Sequence, residues 1–116
     1  MLDKLVDLLA RKQPPVPALV TGLPAPLHSI RVRVVATGRV QGVWFRDACR
    51  ERARAEGVAG WVRNRGDGAV EAEFEGPKPS VDRLVAWFGT GPPRARVDAT
   101  ETTVIPALGD QRFRIL

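Results

Sequence analysis

Apolar and basic positions alternate through Ile30-Arg31-Val32-Arg33-Val34-Val35-Ala36. A period of two predicts a half-buried strand with Ile30, Val32, Val34 and Ala36 turned inward. The period then changes: Phe45, Cys49 and Ala53 recur every four positions among the charged residues Asp47, Arg50, Glu51, Arg52 and Arg54, and Gly57 follows as a stop. This predicts a helix from about Phe45 to Glu56. Val58 to Asn64 reads as a second strand, Arg65-Gly66-Asp67-Gly68 as a turn, and Ala69 to Gly76 as a third strand, in which Val70, Ala72 and Phe74 alternate with Glu71, Glu73 and Glu75. Pro79-Ser80 starts a second helix, with Val81, Leu84, Val85 and Phe88 at i, i+3, i+4 and i+7 before Gly89 and Gly91. Arg96 to Val104 and Gln111 to Ile115 read as extended segments.

The order strand, helix, strand, strand, helix, strand, with an added last strand, predicts an α+β fold of the ferredoxin-like, split βαβ kind. Its antiparallel sheet of four to five strands carries both helices on one face. The other face is expected to be wet. First and third strands are neighbours in this plan, so Arg31 and Arg33 should stand among Glu71, Glu73 and Glu75 as cross-strand pairs of opposite charge.

Ahead of this pattern, Leu2, Leu5, Val6, Leu8 and Leu9 have helical spacing, and Arg11 and Lys12 suit the end of a helix. Residues 1–12 therefore read as a short amphipathic helix, marginal on its own. Residues 13–28 hold Pro14, Pro15, Pro17, Pro24 and Pro26, five of the ten prolines, and read as a linker. The domain proper is expected at 29–116. Asp3, Lys4 and Asp7 interrupt the N-terminal apolar run, which argues against a signal peptide or a membrane span.

Composition adds little to the fold but narrows the chemistry. The net charge is +5, and fifteen of the eighteen cations are Arg, the side chain suited to forked recognition of phosphate or carboxylate. On charge alone, coding bias is the slightly better account of that enrichment. The single cysteine, Cys49, excludes an intramolecular disulfide and fits a reducing compartment, so a cytoplasmic protein is expected.

The chemically informative stretch joins the first strand to the first helix: Gly38-Arg39-Val40-Gln41-Gly42-Val43-Trp44-Phe45-Arg46. Gly38 and Gly42 permit backbone geometries that side chains forbid. Because the turn feeds a helix N-terminus, the amides of Val40, Gln41, Gly42, Val43, Trp44 and Phe45 can converge on one anion, with the Arg46 guanidinium beside them. Taken singly, each residue has a plainer reading: turn glycines, a loop-capping Gln41, a solvated Arg46. A Gly-Lys-Ser/Thr does not follow, so this is not a Walker loop.

The stretch resembles the signature of the acylphosphatase family, Gly-x-Val-Gln-Gly-Val-x-Phe-Arg, at every fixed position from Gly38 to Arg46. The resemblance continues through Gly60-Trp61-Val62-Arg63-Asn64, Asp67-Gly68-x-Val70-Glu71, Glu75-Gly76-Pro77 and Gly91-Pro92-Pro93-x-Ala95-Arg96-Val97, and covers nearly all of residues 30–116. It implies hydrolysis of a carboxyl-phosphate mixed anhydride, with Arg46 holding the phosphoryl group and Asn64 positioning the attacking water. By position alone, Asn64 reads equally as a structural turn residue. An amide that both donates and accepts nevertheless suits the orientation of a water. A carboxylate leaving group, whose conjugate acid has a pKa of roughly 4, needs no general acid, in keeping with a loop poor in titratable side chains.

Other chemistries fit less well. Cys49 follows Arg46, whereas a thiol phosphatase needs its cysteine ahead of the arginine; His28 stands alone, and the Glu71, Glu73, Glu75 row reads as a strand face, so neither metal nor cofactor is expected. An RNA-binding module shares the split βαβ plan, but would need aromatics where the third strand carries glutamates. A non-catalytic anion sensor is the other rival. The expectation is a monomer acting on a small acyl phosphate, without nucleic-acid or membrane partners.

Overall fold

A computed structural model describes residues 29–116. The helix read at 1–12 and the linker at 13–28 lie outside the described residues. The chain runs through β1 (Ser29–Arg39), α1 (Phe45–Glu56), β2 (Ala59–Asn64), β3 (Val70–Pro77), α2 (Lys78–Phe88), β4 (Arg96–Ile105) and β5 (Phe113–Ile115). They form one five-stranded sheet in the order β4-β1-β3-β2-β5, with both helices packed on one face. The expected α+β plan is present. The fifth strand departs from a purely antiparallel sheet, because it lies parallel to β2, with Gly60 opposite Phe113 and Val62 opposite Ile115.

The inward positions of the sequence pattern make the core. Val32, Val34 and Ala36 of β1, Val62 of β2, and Ala72 and Phe74 of β3 meet Cys49 and Ala53 of α1 and Val81, Leu84 and Phe88 of α2. Each large side chain fully buried here, such as Leu84 or Phe88, contributes roughly 1.5–3 kcal/mol. The Phe74 ring stands edge-on to Phe88, with centroids 5.7 Å apart, and stacks on Phe113 at 5.8 Å, which fastens β5 to the core. Gly57 ends α1 in the left-handed region at φ 71°, and its amide returns to the Ala53 and Arg54 carbonyls.

β1 continues past the alternating stretch to Arg39. It pairs with β4 along its length, through an irregularity at Thr37 and Gly38. Gly38 therefore belongs to the sheet rather than to the loop: its φ is 123°, and a Cβ there would overlap the Arg96 carbonyl oxygen.

The second face of the sheet is only partly wet, for Arg33 and Arg63 stay exposed on it while the residues they stand among do not. Glu71, Glu73, Glu75 and Arg31 are all buried, Arg31 to 1% exposure. Two things cover them: Arg33 and Arg63 lie against Glu73 and Glu71, and residues 106–112, which join β4 and β5 at opposite edges of the sheet, cross it at Glu75 and Arg31. The Glu75 carboxylate accepts from the Leu108 and Gly109 amides at 2.8 and 2.7 Å, holding that connector down. The cross-strand ion pairs form as the pattern requires: Arg31 reaches Glu73 and Glu75 at 2.8 Å each, Arg33 reaches Glu73 at 3.0 Å, and Arg63 reaches Glu71 at 2.7 Å. Burial alone would lower the Arg31 pKa, but Glu75 and Glu73 reverse the effect and raise it.

Candidate active site

The strand order places three connections at one end of the sheet: residues 40–44 after β1, 65–69 between β2 and β3, and 89–95 before β4. The connector across the sheet lies at the other end, where Arg31 pairs with Glu75 and Ile105.

The loop after β1 turns sharply into α1. Gly42 has φ 75° and Trp44, at the N-cap, has φ 66°; Trp44 is the only residue other than glycine with positive φ among those described. A Cβ at Gly42 would meet no atom within 4 Å, so glycine serves conformation there rather than space. For Trp44 the left-handed region costs on the order of 1–3 kcal/mol. Such reversals bring successive N–H groups to one side of the chain. The first helical bond of α1 runs from the Ala48 amide to the Trp44 carbonyl at 3.1 Å, and no side chain caps the helix. The amides of its first turn are thus left for another acceptor, at the positive end of the helix dipole.

Beside these amides lies a cavity of about 370 Å³. Of the loop residues expected to hold phosphate, Val40, Gly42, Trp44, Phe45 and Arg46 line it. Gln41 and Val43 do not. Val43 is buried in the core, and the Gln41 side-chain amide donates to the Arg65 and Ala69 carbonyls at 2.8 and 3.0 Å, tying the loop to the β2–β3 turn. This turn is the one that Asn64 opens. Asn64 ends β2 opposite Val70, and it lines the same cavity. Its Oδ1 is buried and accepts no hydrogen bond from any described residue. Arg46 enters no ion pair among the described residues.

The chain belongs to the acylphosphatase family. The family model described as Acylphosphatase matches residues 32–115. An acylphosphatase of Rubrobacter xylanophilus is 54% identical over 91 residues, 78% of this chain and 83% of that protein. Among solved structures, the acylphosphatase from Coxiella burnetii superposes with a TM-score of 0.76 at 32% identity, covering 79% of this chain and 97% of that one. The Bacillus subtilis acylphosphatase superposes with a TM-score of 0.72 at 38% identity, covering 75% and 98%.

Sequence reasoning did not find every wall of this acylphosphatase-family cavity. Asp47, Arg94 and Ile115 also line it. Asp47 follows Arg46 directly, and its carboxylate lies 3.5 Å from Arg50 on the same helix. Ile115 arrives on β5 beside Val62, and Arg94 arrives on the connection before β4. Neither carries a local signal: Arg94 is one of fifteen arginines, and Ile115 reaches the cavity only through a strand pairing across 53 residues of chain. Cys49, on the buried side of α1, is fully enclosed, and burial pushes its thiol pKa up, so it is no nucleophile. No three or more His, Cys, Asp or Glu residues among those described are grouped to hold a metal ion, and no described helix is long and apolar enough to cross a membrane.

Proposed function

We propose that this chain hydrolyses acyl phosphates to a carboxylate and inorganic phosphate, with the phosphoryl group held by the loop amides and Arg46 and the attacking water directed by Asn64. The membership of the acylphosphatase family carries the reaction class. The observation that supports the division of roles is the buried, unpartnered Oδ1 of Asn64 in the wall of the cavity that Arg46 lines. A buried carbonyl oxygen without a donor costs about 1–3 kcal/mol, and accepting a hydrogen bond from a water removes that cost while fixing the water's orientation.

The step then balances without a protein acid or base. The water oxygen forms a bond to phosphorus as the bond between phosphorus and the acyl oxygen breaks, and its electron pair leaves on the carboxylate. The water proton passes to a phosphoryl oxygen. The transition state is loose and carries charge on the equatorial phosphoryl oxygens, where backbone N–H groups and one guanidinium stabilise it by position alone.

Steady-state hydrolysis of benzoyl phosphate in the presence of EDTA tests the reading, with benzoate and inorganic phosphate released in equal amounts. A chain that binds phosphate but shows no turnover is an anion-binding relative instead.

A further inference from the structure

The cavity is lined by a second arginine, Arg94, that the phosphoryl group does not account for. At about 370 Å³ it falls within the size of pockets that enclose a whole small ligand, roughly 300–1,000 Å³. Its walls include Trp44, Phe45 and Ile115, and Arg94 enters it from the connection between α2 and β4. That connection is a firm platform. The Gly91 amide returns to the Trp87 carbonyl at 2.7 Å, the Ala95 amide closes a turn onto the Pro92 carbonyl at 2.9 Å, and Pro92 and Pro93 restrict the backbone between. Gly91 rests against the ring of Phe45, where a Cβ would come within 2.8 Å of Cε2. Phe45 in turn packs edge-on to Phe88 at 4.9 Å. Arg94 thus springs from a backbone seated on the residue that starts α1, beside Arg46.

Most described arginines of the sheet and helices face carboxylates, including Arg31, Arg33, Arg63, Arg83 and Arg96, as does Arg65 in the β2–β3 turn. Arg94 pairs with none among the described residues. The one acidic lining residue, Asp47, has Arg50 as its near neighbour at 3.5 Å. The cavity is therefore lined by two arginines without a described carboxylate partner, Arg46 at the start of α1 and Arg94 on the neighbouring connection before β4, with an apolar surface as part of its wall.

We propose that Arg94 is a specificity residue for the acyl end of the substrate, and that the cavity favours acyl phosphates whose acyl group carries a second anionic substituent. This rests on the hydrolase reading above. The phosphoryl group occupies the amides and Arg46, the carbon chain lies along the apolar wall, and a terminal carboxylate or phosphate meets Arg94.

The test compares two acyl phosphates of similar shape, succinyl phosphate and butyryl phosphate, as the ratio of their kcat/KM values at low ionic strength. An exposed ion pair is worth up to about 1 kcal/mol, so the expected preference for the succinyl compound is about fivefold, and it fades with added salt. The ratio falls to about one in Arg94→Gln, reverses in Arg94→Glu and survives in Arg94→Lys. A ratio near one in the unaltered protein, or one unmoved by Arg94→Gln, overturns the assignment. If Arg94→Gln slows both substrates equally and weakens inhibition by inorganic phosphate, Arg94 serves the phosphoryl group and the assignment is again overturned. Absence of turnover on both substrates overturns the hydrolase reading itself, and is thereby distinguished from failure of the inference alone.

Discussion

The side-chain amide of Gln41 lies 2.8 Å from the carbonyl oxygen of Arg65, the residue next to Asn64. With the second bond to Ala69 at 3.0 Å, one side chain spans the gap between the anion-facing loop and the turn that follows Asn64. Loop and asparagine are thereby held in register although 18 residues or more separate them in sequence.

Removing that tie should loosen the geometry without deleting any group that faces the cavity. Gln41→Ala is expected to lower kcat for benzoyl phosphate by about tenfold or more, with a smaller change in KM, since misplacement of about 1 Å can cost on the order of a hundredfold. Gln41→Glu should be worse than Gln41→Ala, because a carboxylate set against two carbonyl oxygens repels both. Equal activity of all three proteins would show that the tie does not position the site.

Arg46 and Asn64 should fail differently. Arg46→Ala is expected to lose both inhibition by inorganic phosphate and turnover. Asn64→Ala should keep phosphate inhibition while kcat falls by about a hundredfold or more, the scale for loss of one oriented polar group. Normal turnover in either variant sinks the assigned role.

Gly91→Ala links packing to function. Its φ is 73°, and the new methyl group would press on the Phe45 ring, which cannot retreat far because Trp87 and Phe88 stand edge-on to it at 5.4 and 4.9 Å. A loss of about 1–3 kcal/mol in chemical denaturation is expected, together with a raised KM. A variant as stable and as active as the parent would contradict this packing.

The covered face of the sheet sets an acid limit on stability. Burial alone would raise the Glu75 pKa, but the Leu108 amide, Arg31 and the Gly109 amide outweigh it and hold the carboxyl below its ordinary value of 4.5. The folded-state pKa is thus lower than the unfolded one. The stabilisation is present in full above the ordinary carboxylate range and is lost as pH falls through the depressed value. Glu75→Gln should flatten that part of the acid unfolding profile. Glu75→Ala should destabilise at neutral pH by about 3 kcal/mol, since it strips the buried Arg31 of one partner and the connector of its anchor. An unchanged acid profile in Glu75→Gln would rule out this source.

Much of the fold was legible from periodicity. The alternation at Ile30 to Ala36 and at Val70 to Glu75, and the fourfold spacing of Phe45, Cys49 and Ala53, each reports a face set by local geometry. Val32, Val34, Ala36, Val70, Ala72, Phe74, Phe45, Cys49 and Ala53 are where the pattern placed them, inside the core, while Ile30 is only partly buried against it. Residues 106–112 carry no periodicity, and their path across the sheet follows from where β5 docks, a long-range pairing with no local signal. This is why Glu75 read as wet and proved buried beneath the connector. At the site, Arg46 and Asn64 were reached through a resemblance and share one cavity, whereas Arg94 stands at a position open in the family pattern. The left-handed backbone at Trp44 was equally hidden, because a bulky residue gives no hint of positive φ.

That backbone has a genetic corollary. If the anion is held largely by main-chain amides, ordinary codon changes at Val40, Val43 or Trp44 alter how the donors are aimed but cannot erase one, since every amino acid but proline brings an N–H of its own. The information for binding is then written in chain shape, and a proline scan from Val40 to Phe45 is the mutational experiment that deletes the donors one at a time.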